Sequence, residues 1–590
     1  MRRIGLGTEE KYQTEMDQRD SKRRRMDYQC SPSTPSMASH QWAQSSPDSV
    51  DSLYQIETNI QQSVLHNELP PLPVNEATKW PTTTMDPTSP LGLHPASFHP
   101  IVLNHSPGEN LWSTFTNIHP EETAHPGALN PEGFLPSFIK PLPLTTNQNT
   151  LECLNLNGVF ALPNAPLQNA LLQAFEECVL PSMPIVEWQS LIQALHGTYG
   201  SHGSISLLLY HAIMVSATTF VEMHHLLEAG HSTRQEAQES FFQKARLLYQ
   251  ANVETDGLAI VQAFLLMTYR LDAVDGDDSR HLIGIAISTA LSIGLFHDGS
   301  QITNFHYRPT LWRRIAWACH IIDCQIALRL RRRPIIQRAD FSHQMVSEKD
   351  FEHLQFILPQ SPEVTPSYTD LSQNFSAQRE LTLIFIANAR LSVCIRNVLD
   401  VQCKESHLRS SASPTTPTSS ASDESPEYTN SIYTSERMLA EWANALPNSC
   451  QTNPAEPRDA DEEPALTLQR SLLHITFYTT IAVFHQSRIF PSSNFCLQHA
   501  SQQITRVAFD LYRRGLHRRL PILGVTGILV ALVIHIGEMR APPSPQKDEA
   551  TNNFQLGLEI MASLRDVYSE ANRVTSWALK IIQQNGTGYR

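Results

Sequence analysis

The sequence predicts an all-α protein, and three observations lead to this prediction. Apolar residues recur at intervals of three or four through most of the chain after residue 150, as amphipathic helices require. No series of alternating polar and apolar residues of comparable length competes with this pattern. The chain has 39 prolines but only 23 glycines, and many prolines lie in polar stretches, which is typical of linkers. We therefore expect a multi-helix body with long polar segments.

Residues 1–130 are expected to form a long disordered N-terminal region. They are rich in Ser, Pro, Thr, Gln and Asn and show no sustained period of 3.6 or 2. Such a segment buries too little apolar surface to offset the entropy lost on ordering. It contains the basic run Lys22, Arg23, Arg24 and Arg25. This run is either a solvated charge cluster or a nuclear-import signal, because short basic runs on flexible chain suit the acidic grooves of import receptors.

The helical body is expected in two parts, residues 131–403 and 431–590, joined by a Ser/Thr/Pro linker at 404–430. The linker is also a candidate phosphorylation zone, where added charge would reorder the chain. Helical patterns are predicted at 165–179, 204–228, 234–250, 257–271, 280–296, 310–330, 375–402, 431–446, 465–490, 496–514, 520–539 and 552–584.

The segment 311–330 is predicted to be a central helix, since nearly half of its circumference is apolar. Asp323 falls inside this apolar stretch, and a buried carboxylate must be paired or neutralised. We expect it to be a structural ion-pair member rather than a catalytic acid. The candidate partners are Arg270, Arg313, Arg314 and the arginines at 331–333.

The predicted helix ends in the basic turn Leu328–Pro334 (LRLRRRP). Arginines in the last turn complement the negative end of a helix, and Pro334 prevents its continuation. The turn is therefore a cap with intradomain salt bridges. The alternative is a basic patch for DNA phosphate or an acidic partner, but no aromatic residues are interleaved with the arginines.

Charge and cysteine usage exclude several classes of protein. The net charge of −14 gives no overall basic footprint for nucleic acid. Nine scattered cysteines without a C-x-x-C pair fit buried thiols in a reducing compartment better than disulfides. The run Leu520–Gly537 has about the minimum length that spans a membrane, but it contains Pro521 and His535. We read it as a buried core helix and predict no membrane association.

No catalytic, cofactor-binding or metal site is predicted. The common nucleotide and hydrolase motifs are absent. One enzyme alternative was an all-α magnesium-dependent enzyme of specialised metabolism, with the acidic stretch 272–278 as its metal site. Gly276 interrupts these acids and no convincing second motif follows. An acidic loop at the N-terminus of the next helix is the better interpretation.

An ordered set of short motifs carries a resemblance to a known family. GLFHD at 294–298, LWRR at 311–314, IID at 321–323, RP at 333–334 and DF at 340–341 occur in this order. The set resembles the core of the fungal-specific transcription factor domain, the regulatory domain that usually follows a Zn2Cys6 DNA-binding cluster. Three further stretches, 134–143, 241–249 and 260–269, are similar to the cutinase transcription factor beta branch of this family. The family signature comprises Trp312, Arg313, Arg314, Asp323, Arg332, Arg333, Pro334, Asp340 and Phe341.

The resemblance implies a nuclear transcription regulator of a metabolic pathway, for example a secondary-metabolite gene cluster. Its partners would be promoter DNA, reached directly or through a Zn2Cys6 partner, and a second subunit in a homo- or heterodimer. The zinc expected for the family lacks its ligands, because six close thiolates are needed and only Cys30 lies in the first 150 residues. Heterodimerisation, a coregulator role or a missing first exon would each account for this. A cytosolic helical scaffold is the remaining alternative.

Overall fold

A computed structural model describes residues 135–143, 145–195, 205–270, 277–297, 309–355, 374–411, 426–452, 462–486, 491–540 and 545–586. The described residues form helices, as the sequence predicts, and contain no β-strand beyond one isolated bridge between Ile139 and Ile205. The basic run at 22–25 and the predicted disordered region 1–130 lie outside the described residues.

The structure describes eight α-helices before residue 300, and they form the first of three main hydrophobic clusters. Side-chain caps begin several of them: Asn164 accepts from the backbone N–H of Leu167, and Thr233 accepts from that of Glu236. All twelve residues of α4 are buried, so this helix lies at the centre of the cluster. The helices are α1 (Gln148–Leu156), α2 (Ala165–Ala174), α3 (Trp188–Leu195), α4 (Leu207–Thr218), α5 (Met223–Glu228), α6 (Arg234–Gln250), α7 (Gly257–Met267) and α8 (Asp277–Ser292).

Two long helices connect this cluster to the rest of the chain. α9 (Pro309–Leu330) packs against α8, α10 and α14, and it contributes side chains to more than one cluster. α10 (Phe375–Ser411) packs against α9, α11 (Pro426–Asn444) and α12 (Pro464–Gln486) to form a second cluster.

The third cluster lies among the last helices. It is formed by α12, α13 (Pro491–Arg513), α14 (Ile522–Met539), α15 (Pro545–Ser563) and α16 (Ser569–Gly586). Consecutive helices pack on one another here, with α13 on α12, α14 on α13 and α15 on α14.

Among the residues that the structure describes, two helices are long and apolar enough to cross a membrane by length and composition alone, namely the span Phe375–Ser406 and α14. Most of the apolar window is buried inside the protein in both cases, 72% and 67%. The run at 520–537 is thus a buried helix of the C-terminal cluster.

Several predicted boundaries were wrong. α10 continues to Ser411 and α11 begins at Pro426, so both ends of the predicted linker 404–430 are helical, while residues 412–425 lie outside the described part. Lys404 to Arg409 includes good helix formers, and proline is favourable in the first turn of a helix. The patterns at 204–228 and 552–584 each form two helices rather than one.

Candidate functional site

The two signature arginines near the start of α9 anchor this helix to distant loops. Arg314 is completely buried, and its Nη1 donates to the backbone oxygen of Pro184 at 3.0 Å. Burial lowers the pKa of Arg314 to about 10, and the nearby carboxylate of Asp350 opposes this shift. Arg313 Nη1 donates to Asp350 Oδ1 at 2.7 Å, and Asp350 is itself buried. These arginines therefore organise the chain on either side of α9.

Asp323 has different partners from those predicted. Its Oδ1 and Oδ2 accept the backbone N–H groups of Ile335 and Ile336 at 2.9 and 2.8 Å. No arginine in the described ranges forms a salt bridge with it, so the predicted ion pair was wrong. Desolvation raises the pKa of Asp323, and the two amide hydrogen bonds oppose that effect. Asp323 thus holds the chain that follows Pro334 against α9.

Phe341 packs the same segment onto α9 through its ring. Its centroid lies 4.9 Å from that of Trp317, 5.1 Å from His320 and 5.6 Å from Phe296. Asp340, its neighbour, ends a short 3₁₀ turn, and Trp312 is partly buried against the first cluster. These signature residues stabilise the architecture around α9.

The basic turn ends α9 through its backbone. Arg331 adopts a left-handed conformation with φ of 52°, and the N–H of Arg332 donates to the oxygen of Ala327 at 3.0 Å. This pattern is a helix C-cap of the Schellman type. The capping interpretation is therefore correct for the backbone, while the side chains of Arg332 and Arg333 are exposed.

A polar pocket of about 440 Å³ lies beside this turn, between α10, α11 and the 333–338 segment. Its wall carries three basic side chains and one carboxylate, and Arg338 pairs with that carboxylate, Asp400, at 2.9 Å. The basic excess contrasts with the net charge of −14 for the whole chain. A concave site of this size suits a small anion better than a duplex, whose binding needs several phosphate contacts along a surface. The lining residues are Arg333, Arg338, Asn397, Asp400, Val401, Lys404, Asn430, Ser431, Thr434 and Ser435.

The described residues do not fit the zinc of a Zn2Cys6 cluster. Within them, no group of three or more His, Cys, Asp or Glu side chains could hold a metal ion. Desolvation raises the pKa of Cys178 to about 12 and also raises the pKa values of Cys319 and Cys324. Such thiols stay protonated, whereas zinc binds thiolates.

The acidic stretch 272–278 is described only at its end. α8 begins at Asp277, as expected for an acidic loop feeding a helix N-terminus. Asp278 Oδ2 lies 3.2 Å from Arg270 Nη1, and Arg270 Nη2 lies 2.8 Å from Glu239 Oε2. The carboxylate of Asp278 is therefore already paired with a cation. Asp272 and Asp275 lie outside the described residues.

The described residues form an all-α body around the central helix α9, and comparison with known proteins relates it to a known family. Residues 172–444 match the family described as "Fungal specific transcription factor domain". These residues therefore carry a domain of this family, and the relatives below are named as transcription factors.

Individual relatives agree with this assignment. The chain is 36% identical to Cutinase transcription factor 1 beta of Fusarium vanettenii over 464 residues. This alignment covers 75% of this chain and 52% of the relative. It is 26% identical over 472 residues to Transcription factor cpaR of Aspergillus oryzae, covering 75% of this chain and 76% of the relative. It is 29% identical over 178 residues to the Fusaric acid cluster transcription factor FUB12 of Gibberella moniliformis, covering 29% of this chain and 25% of the relative. The chain spans about half the length of the cutinase regulator.

Proposed function

We propose that this chain is a nuclear regulator that controls transcription of the genes of one metabolic pathway. The 36% identity to a cutinase transcription factor, sustained over 75% of the chain, carries this proposal. The buried framework around α9 supports it, because Arg314, Asp323 and Phe341 maintain the family signature as a rigid part of the fold.

The pathway is proposed to belong to specialised metabolism. One relative is named for the fusaric acid cluster, and another is named for cutinase. A secondary-metabolite gene cluster is therefore the first place to look for target promoters.

Promoter DNA is proposed to be reached mainly through a Zn2Cys6 partner in a heterodimer. The net charge of −14 opposes approach to DNA. The exposed basic side chains of Arg332, Arg333 and Arg338 lie close together in sequence and provide only a small positive surface. Such a surface makes too few phosphate contacts for tight direct binding.

Chromatin occupancy of the epitope-tagged chain in its native host tests this function. Discrete peaks at promoters are expected, together with changed transcript levels of the adjacent genes when the chain is deleted. Peaks that disappear in a strain lacking a co-expressed Zn2Cys6 protein would show that this chain reaches promoter DNA through that protein. Cytosolic signal without any promoter peak would instead favour a helical scaffold and contradict the proposal.

A further inference from the structure

A second, more enclosed cavity lies at the C-terminal end of α9, where the N-terminal and C-terminal helices meet. Its volume is about 70 Å³. α9 contributes Ile322, Ile326 and Arg329 to the wall, and α14 contributes Leu523. Tyr269 and Tyr568 lie at its other sides. The cavity thus touches both halves of the helical body.

Arg329 differs from Arg270, the other charged residue in this wall, in its lack of a partner among the described residues. Its side chain is largely buried, Nη2 is fully buried, and the guanidinium forms no hydrogen bond or salt bridge with any described residue. Arg270, in the same wall, is paired with both Glu239 and Asp278. Burial lowers the pKa of Arg329, and the more distant charge of Glu570 opposes this shift. A buried cation without a partner is destabilising, so this site favours the arrival of an anion.

Four hydroxyl groups of the cavity wall already have partners. Ser182 Oγ and Tyr269 Oη lie 2.7 Å apart, and Tyr568 Oη donates to the backbone oxygen of Leu520 at 2.6 Å. Thr219 Oγ1 donates to the backbone oxygen of Tyr269 at 3.0 Å. The rest of the wall is largely aliphatic, with Ile321, Ile322, Ile326, Leu472, Ile522 and Leu523. The cavity therefore offers one unpaired cation beside an apolar surface.

The volume limits the size of an occupant. A water-sized group requires about 10–15 Å³ of such space, so about five or six non-hydrogen atoms fit without rearrangement. A fatty acid or an aromatic acid exceeds this limit.

We propose that this cavity binds a short-chain monocarboxylate of about two to four carbons. The carboxylate pairs with the Arg329 guanidinium, and the hydrocarbon part lies against Ile326 and Leu523. Because the ligand contacts helices from both halves, its binding stabilises their packing. This inference goes beyond the proposed function, since the helical body would bind the carboxylate independently of which promoters the chain regulates.

Calorimetric titration of the purified full chain with sodium propionate tests the inference, with propionamide, sulfate and octanoate as comparison ligands. Saturable binding of propionate is expected, with weak or no binding of the three others. Arg329→Gln is expected to weaken propionate binding by more than about tenfold. The matched control Arg333→Gln, an exposed arginine of the adjacent turn, is expected to leave it unchanged.

The folding of each variant is measured separately, so that loss of propionate binding is distinguished from loss of structure. Circular dichroism verifies each variant, and Leu523→Phe, which narrows the apolar end, is a second variant expected to weaken propionate binding. The inference is overturned by an absence of saturable binding, by equal binding of propionamide or sulfate, or by loss of binding in Arg333→Gln alone. That last result would place the ligand in the polar pocket beside α11. Binding can fail while promoter occupancy persists, so the two proposals fail independently.

Discussion

At the scale of single residues, burial keeps His211 and His320 neutral. His320 Nε2 accepts from Arg396 Nε at 3.3 Å, so its Nδ1 carries the proton and donates to Ser392 Oγ at 2.8 Å. His211 is fully buried, with Nε2 2.9 Å from the backbone oxygen of Val159. Burial lowers the pKa of each of these histidines to about 3.

These two histidines predict acid sensitivity. The unfolded chain binds protons at these positions below about pH 6.5, whereas the folded chain does not. The free energy of unfolding should therefore fall as pH decreases from 6.5 toward 3, by about 1.4 kcal/mol per histidine per pH unit. Urea unfolding at several pH values measures the slope of the free energy of unfolding against pH. His211→Gln should make the slope shallower, and an unchanged slope would contradict the assignment of a neutral His211.

Arg314 provides a second prediction at this scale. Arg314→Ala leaves the backbone oxygen of Pro184 without this donor and opens space beside Phe351, whose ring lies 5.8 Å from the guanidinium carbon. We expect a loss of about 3–5 kcal/mol in the free energy of unfolding. The exposed arginine control, Arg333→Ala, should change it by less than about 0.5 kcal/mol. Equal effects of the two substitutions in chemical denaturation would refute the anchoring role of Arg314.

At the scale of secondary-structure elements, residues in the left-handed region follow the ends of α8 and α9. Gly294 has a φ of +71°, which favours glycine, and the next N–H, that of Leu295, donates to the oxygen of Ala290 at 2.8 Å. Arg331 ends α9 in the same left-handed region without being glycine. Pro334 made the end of α9 predictable from sequence. The predicted pattern 280–296 ran past Gly294, whereas α8 ends at Ser292, and the left-handed conformation of Arg331 was not predicted.

The packing of α14 on α12 depends on Gly527. A Cβ atom at this position would collide with the side chain of Ile475 and lie 2.9 Å from Thr479 Oγ1. Gly527→Ala should therefore lower the free energy of unfolding by about 1–3 kcal/mol.

Gly284, inside α8, is the matched control for this substitution. A Cβ there would meet nothing nearer than Ile335 Cδ1 at 4.0 Å. Gly284→Ala should stabilise the protein by about 0.5–1 kcal/mol, because alanine is the better helix former. Thermal unfolding of the two variants compares them, and stabilisation by both would show that the α12–α14 contact is not tight.

At the scale of the whole molecule, we predict that localisation depends on the basic run at 22–25, which lies outside the described residues. Replacing Lys22, Arg23, Arg24 and Arg25 by alanine should shift a fluorescent fusion of the chain from nucleus to cytosol, because import receptors bind basic runs through charge. Alanine replacement of Arg331, Arg332 and Arg333, a basic run within the folded body, is the control. Nuclear accumulation that survives the first replacement would exclude this run as the import signal.

The fold class, most helices and the family signature could be predicted from sequence because helical periodicity and caps are local properties. The periodicity at 311–330 correctly predicted a central helix, and the burial of Asp323 followed from its apolar neighbours. Arg332 and Arg333 were recognised as a basic turn, and their exposure agrees with that interpretation.

Only the tertiary structure decided which groups these residues meet. Arg314 bonds to Pro184, 130 residues earlier in the chain, and Asp323 bonds to two backbone amides rather than to an arginine. Arg329 looked like its basic neighbours in sequence, yet it alone of that turn lines the cavity between the two halves. Sequence specifies local periodicity and charge, whereas the partner of a buried charge depends on which distant segments pack against it.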